Sequence, residues 1–214
     1  MEYINFKDLT PIGEGANSKV FRYYKPYGQS NMPAVVKIGN SMIAKNYQEN
    51  IAKLKHAGLM TIAFADPCNV DGESAVIMLD LNAGDEIWVS PNTVRNGHQS
   101  DAEEYLMANK IEDIVNIDNL LAMMRDAAWC TNGKGIGIDM DMIFFGMKKG
   151  ESSPTVRYQL VDIDAMLSDP SMAYGLKESN TIAAKEAITL FVRYFVKPSD
   201  RQKELFEMIE KYEW

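Results

Sequence analysis

The spacing of apolar and polar positions divides the chain into a strand-rich first part and a helix-rich remainder. Leu9–Ile12 and Lys19–Tyr24 flank a glycine-bearing turn, and Ala34–Ile38 is a short apolar run of strand length. The period then changes. Over Ala44–Ala57, Tyr47, Ile51 and Leu54 share one face with polar residues between them, and Gly58 follows as a stop, which predicts a helix. Ala75–Leu79 returns to the composition of a buried strand.

After residue 100 the pattern is mostly helical. Ser100 is placed to cap a helix over Asp101–Lys110 whose acidic first turn suits the helix dipole. Asn116 is placed to cap Ile117–Cys130, where Leu120, Leu121, Met124, Ala127 and Ala128 form an apolar stripe. Met142–Met147 and Arg157–Val161 bracket a polar loop and read as a hairpin. Two helices near Thr181–Val196 and Ser199–Tyr212 complete the chain, punctuated by Pro198. A β-rich part followed by an α-rich part, joined around Asp80–Gly84, predicts an α+β fold with two lobes, 1–82 and 83–214.

Composition narrows the class. The 214 residues are 46% hydrophobic and 24% charged, which excludes a disordered or collagen-like chain. No apolar run reaches the ~20 residues of a membrane-spanning helix. The N-terminal MEYINFKDL has neither the basic nor the apolar region of a secretory signal. Cys68 and Cys130 make neither a disulfide framework nor a zinc site. The expectation is a soluble cytoplasmic protein, of the producing cell or of a host cell if delivered there, with reduced thiols. A net charge of -8 disfavours phosphate backbones and anionic membranes, so the expected partner is a protein substrate or regulator, not nucleic acid or membrane.

Several segments could carry chemistry. Gly13-Glu14-Gly15-Ala16-Asn17-Ser18 puts two glycines between strands, where backbone N–H groups can approach a phosphate. Ser18 stands where a third dinucleotide-binding glycine would be, and a strand rather than a helix follows, so a Rossmann reading is poor; an ordinary hairpin turn is the plainer alternative. Lys37 ends the apolar run Ala34-Val35-Val36 and either snorkels outward or points into a cleft. A helix carrying Glu49 comes next. A lysine facing a glutamate on an adjacent helix is a device for holding nucleotide phosphates.

In this order the segments resemble the protein-kinase-like family. GEGANSKVF resembles its glycine-rich loop, AVVK its phosphate-gripping lysine strand, and ENIAKLKHAGL its lobe-spanning helix. VIMLDLNAGDEI is similar to the strand, hinge and linker that receive adenine. Gly135-Ile136-Gly137-Ile138-Asp139-Met140 resembles the catalytic loop, and Tyr158–Asp164 the strand that ends in the metal-binding Asp. The resemblance runs from Leu9 to Asp164 and rests on the series rather than on any single motif.

The resemblance implies a bilobal kinase-like fold with a reduced helical C-lobe, and γ-phosphoryl transfer from ATP to a protein hydroxyl, that of Ser or Thr. It implies that Gly13, Gly15, Ala16 and Ser18 cover the phosphates, with Val20 beside them at the nucleotide. Lys37, braced by Glu49, grips the α- and β-phosphates. Ile77 or Met78 is the gatekeeper, Asp80 and Leu81 offer the hinge backbone, and Asp85 lies near the ribose. Asp139 takes the substrate proton, and Asp162 with Asp141 holds Mg²⁺, with Mn²⁺ as a substitute.

The departures matter as much. Gly137 stands in place of the catalytic-loop His, Ile163-Asp164 in place of Phe-Gly, and Phe144 where the second metal ligand Asn belongs. A shortened loop in which Asp141 replaces that Asn is the preferred alignment. These departures keep a second reading open, a pseudokinase that binds nucleotide or protein without transfer. A small-molecule or lipid kinase is disfavoured by the short second lobe, and an adenylylating variant stays open. His56 reads as a structural residue at a helix end, and His98 as a loop residue.

Overall fold

The computed structural model describes residues 2–14, 18–28, 32–131, 134–167, 169 and 175–214. It is a mixed α+β structure. The strands are β1 Glu2–Ile4, β2 Leu9–Glu14, β3 Lys19–Tyr27, β4 Met32–Ile38, β5 Asp66–Val70, β6 Glu73–Leu79, β7 Glu86–Val89, β8 Ile143–Lys148 and β9 Arg157–Leu160. The helices are α1 Ile43–His56, α2 Pro91–Arg95, α3 Asp101–Ala108, α4 Ile117–Cys130, α5 Leu176–Phe195 and α6 Asp200–Lys211.

The first six strands form one sheet in the order β1-β5-β6-β4-β3-β2, antiparallel except where β1 pairs parallel with β5. Pro11 is tolerated because β2 is an edge strand, where a missing N–H costs no ladder bond on the open side. Strict alternation along the inner strands gives the sheet two different faces. Phe21, Tyr23, Ala34, Val36, Ile38, Ala75 and Ile77 pack with Cys68 and Val70 into one apolar cluster. The intervening Val35, Val76 and Met78 join the other, larger cluster with α1 and the helical part. Lys37 belongs to this second face.

Helix α1 packs on β5 and β6 with Ile43, Tyr47, Asn50, Ile51 and Leu54 buried, the spacing of one helical face. The remaining strands make a second sheet, β7-β8-β9. Around it, the long α5 packs on α2, α4 and α6, and Phe191 sets its ring 4.7 Å from that of Phe145 on β8. No helix among the described residues is long and apolar enough to cross a membrane.

The main elements fall where the periodicity places them, with four additions. β1, β5, β7 and α2 are short, and the apolar-run signal is weak over three to five residues. The linker read after Leu79 includes strand β7, which pairs with β8, so the expected two-stranded hairpin β8–β9 becomes a three-stranded sheet with β8 at its centre. Ser100 caps α3 as expected, in a reciprocal capping box with Glu103. Asn116 is a correction. It makes no cap bond to α4; its side chain binds both backbone groups of Val156 instead, at 2.9 Å each.

Candidate functional site

Sheet register aligns the first elements of the site. Gly13 is paired with Val20, Val20 with Lys37, and Lys37 with Val76, one continuous row across β2, β3, β4 and β6. Paired residues project to the same face, so Val20, Lys37 and Val76 share the face turned towards α1 and the helical part. Ser18 directly precedes β3. Gly15 and Ala16 lie outside the described residues.

Lys37 is 4% exposed and its ammonium is enclosed by oxygen. Its Nζ donates to a carboxylate oxygen of Asp162, to Oδ1 of Asp164 at 2.9 Å and to the Tyr47 hydroxyl at 3.3 Å. The Tyr47 hydroxyl also lies 3.5 Å from Oδ1 of Asp162. Burial works against the charge on Lys37, but Tyr47 and the two carboxylates outweigh it and raise its pKa above the ordinary lysine value. The side chain is an ammonium throughout the neutral range. Burial pushes the Asp162 carboxyl up against the pull of Lys37. For Asp164, burial is outweighed by hydrogen bonding to Asp162 and by Lys37, which hold its carboxyl below the usual range.

Glu49 requires a correction. Its carboxylate is half exposed and pairs with Lys45 one turn away at 3.7 Å, not with Lys37. The reason is helical geometry. Residues advance about 100° each, so Glu49 is roughly 200° from Tyr47 and faces outward when Tyr47 faces in. The apolar stripe Tyr47, Ile51, Leu54 already specified which face is buried. Two residues on that face do reach the site: Tyr47 meets Lys37, and Asn50 donates from Nδ2 to the carbonyl of Ile163 at 2.6 Å.

The second acidic segment leaves the same end of the β8–β9 hairpin. Asp139 and Asp141 precede β8, Asp162 and Asp164 follow β9, and the Val161 amide donates to the Met142 carbonyl at 2.8 Å, joining the two segments. Asp139 caps a single 3-10 turn, Met140–Met142, by accepting the Met140 amide at 2.6 Å. Asp141 accepts a hydrogen bond from Asn92 on α2. Partial burial, then the charge of Asp139, raises the Asp141 carboxyl above its usual range, with Arg95 opposing. Phe144 is a strand residue opposite Gln159.

Gly137 lies where two segments run close together. Its amide donates to the Leu167 carbonyl at 2.9 Å, and a Cβ at 137 would come within 3.1 Å of the Leu167 Cβ. The loop is also held from behind. Buried Asn180 of α5 accepts the Ile138 amide at 2.8 Å and donates to Thr131 Oγ1 at 2.6 Å and to the Ile136 carbonyl at 2.8 Å. Sequence reading missed Asn180 and Asn92. A polar residue on the apolar face that continues through Ala184, Ala187 and Phe191 is the signal for Asn180; Asn92 lies in a helix too short to signal itself.

At the junction after β6, Met78 is buried on the Lys37 face and Ile77 on the opposite face. The Asp80 carboxylate, 5% exposed, pairs with Arg22 Nε at 3.2 Å and accepts the Asn82 amide at 3.0 Å, while its own amide is taken by the Pro33 carbonyl. Leu81 is half-buried, and no hydrogen bond joins its backbone to another group among the described residues. Asp85 is exposed and its carbonyl accepts the Lys149 amide at 2.8 Å. Among the described residues, no group of three or more His, Cys, Asp or Glu side chains is arranged to hold a metal ion.

The arrangement therefore presents one permanent cation and two carboxylates at the meeting of a sheet, a helix and a hairpin end, with further carboxylates alongside. Here the Lys37 ammonium is already satisfied by Tyr47, Asp162 and Asp164. No protein-family model matches the chain, and no curated protein matches it.

Proposed function

We propose that the protein has a bilobal protein-kinase-like fold and transfers the γ-phosphoryl group of ATP to a protein hydroxyl, Ser or Thr. The observation that carries this reading is the meeting of Lys37 and Asp162, 125 positions apart in sequence, at the point where a lysine strand and a metal-binding Asp must converge on a triphosphate. Further support comes from the Gly13–Val20–Lys37–Val76 row, which sets the glycine-bearing edge in register with the lysine, two strands away across Val20. The unpaired backbone of Leu81 offers one N–H and one C=O to a planar base; the Asp80 amide, already bonded, does not.

In this reading Lys37 holds the α- and β-phosphates by charge. Asp162 and Asp141 would hold Mg²⁺ or Mn²⁺, and an all-oxygen set of two carboxylates, completed by phosphate oxygens and water, suits such hard cations. The bound cation would neutralise charge on the β- and γ-phosphates. Asp139 orients the substrate hydroxyl through the oxygen not used by Met140 and accepts its proton as the oxygen–phosphorus bond forms and the bond to the β-phosphate oxygen breaks. Asn180 fixes the loop that carries it.

A second reading, a binding module without transfer, is favoured by one observation. Lys37 is already satisfied by Tyr47, Asp162 and Asp164, so a phosphate must displace at least one of them. Incubation with γ-labelled ATP and Mg²⁺, with Mn²⁺ in parallel, separates the two. Label incorporation abolished by Asp139→Ala and by Asp162→Ala supports the enzyme; a thermal shift with ATP but no incorporation into itself or a lysate supports the module.

A further inference from the structure

We infer that Asp164, not the helix glutamate Glu49, is the positioning residue that braces Lys37 for phosphate binding, acting with Tyr47 so that Asp162 is free to turn to a bound cation. The inference rests on the nucleotide-site reading above.

Three observations lead to it. The first is access: the Glu49 side chain is 52% exposed and engaged with Lys45, so α1 delivers no carboxylate to the site. What α1 delivers is Tyr47, which is 1% exposed and meets the ammonium through its hydroxyl. The second is the alternation Asp162-Ile163-Asp164. Ile163 is fully buried and its carbonyl is fixed by Asn50 at 2.6 Å, so the peptide between the two aspartates is tied to α1. Both flanking carboxylates then reach the same ammonium. The third is the difference between them. The Asp162 side chain is 45% exposed and that of Asp164 is 20% exposed.

A phosphate-gripping lysine needs a partner that stays when the nucleotide arrives, because a flexible cation loses positional entropy on binding. Asp162, the more open carboxylate, can turn from Lys37 towards a cation. Asp164 and Tyr47 then still fix Nζ. The residue occupying the glycine position of the usual Asp-Phe-Gly triplet thus supplies the brace that the helix lacks.

The test compares Asp164→Asn, Asp164→Glu and Glu49→Gln with the unaltered protein, by calorimetric Mg²⁺·ATP binding and by ¹⁵N NMR of the lysine ammonium groups without nucleotide. The Lys37 signal is assigned by its loss in Lys37→Arg. Asp164→Asn is expected to weaken ATP binding about tenfold or more and to shift or lose the Lys37 signal, with partial recovery in Asp164→Glu. Glu49→Gln, an exposed change that leaves packing intact, is expected to alter affinity by less than about twofold and to keep the signal. Affinity lost in Glu49→Gln but kept in Asp164→Asn overturns the inference while leaving the nucleotide site standing. An unaltered protein that binds no ATP contradicts the nucleotide site itself, and the inferred role with it.

Discussion

Asn180 holds the amide of Ile138 at 2.8 Å, so the second turn of the long helix α5 is bonded directly to the residue before Asp139. The same side chain donates to Thr131 Oγ1 and to the Ile136 carbonyl. All three bonds are made by a residue that is 1% exposed, where water cannot replace them.

Asn180→Ala leaves the Ile138 amide and the Ile136 carbonyl without their partner in a dry setting. The expected cost is about 2–4 kcal/mol of unfolding free energy, read from urea denaturation. A loss below about 0.5 kcal/mol would show that the loop does not depend on this bond.

The second prediction concerns the three-stranded sheet. Gly146 is the cross-strand partner of Trp88, and a Cβ at 146 would lie 2.3 Å from the indole ring. The ring is buried and cannot swing clear. Gly146→Ala is expected to destabilise by about 1–3 kcal/mol through overpacking. Combining it with Trp88→Leu, which vacates the space, is expected to make the glycine change markedly cheaper; equal costs in both backgrounds would refute the clash.

Alkaline stability tests the first apolar cluster and its rim. Burial pushes the Cys68 thiol up to about 12 from 9.0. Burial, then a hydrogen bond to Glu2 for Tyr23 and to Asp66 for Tyr27, raises each phenol to about 12 from 10.0. Each folded group keeps its proton at a pH where the unfolded chain has released it. The unfolded state then binds fewer protons, so stability falls as pH rises, beginning near 9 for the thiol and near 10 for the phenols, until about 12. Urea midpoints at pH 8, 9, 10 and 11 are expected to decline with growing slope, and Cys68 is expected to resist alkylation at pH 8 until the protein unfolds. A flat profile between pH 9 and 11 would contradict the burial of these groups.

Much of this fold is legible in period and punctuation. The switch from the apolar run Ala34–Ile38 to the helical stripe Tyr47, Ile51, Leu54 marks the passage from β4 to α1, and Ser100 with the acidic first turn after it announces α3. Short elements are not legible in the same way, since β1 and α2 form only because a neighbouring strand or helix supplies their partners. In the candidate site, the convergence of Lys37 with Asp162 follows from the order of segments. The same order points to Glu49 as the partner of Lys37, but the helical period turns Glu49 outward to Lys45. Asn180 escapes the sequence because the expected helix begins at Thr181, five residues after the observed start at Leu176, which leaves Asn180 outside it. Gly137 becomes intelligible only in three dimensions, from a backbone that runs against Leu167.

The most direct test of the proposed convergence of Lys37, Asp162 and the Leu81 backbone on one nucleotide is paramagnetic NMR of the ¹⁵N-labelled protein titrated with Mn²⁺·ATP. The expected result is strong broadening of the Asp162 and Asp141 amides, weaker broadening at Lys37, and a shift of the Leu81 amide that Mg²⁺·ATP reproduces without broadening. Broadening confined to other acidic surfaces, or an unchanged Leu81 amide at saturating nucleotide, would contradict the site.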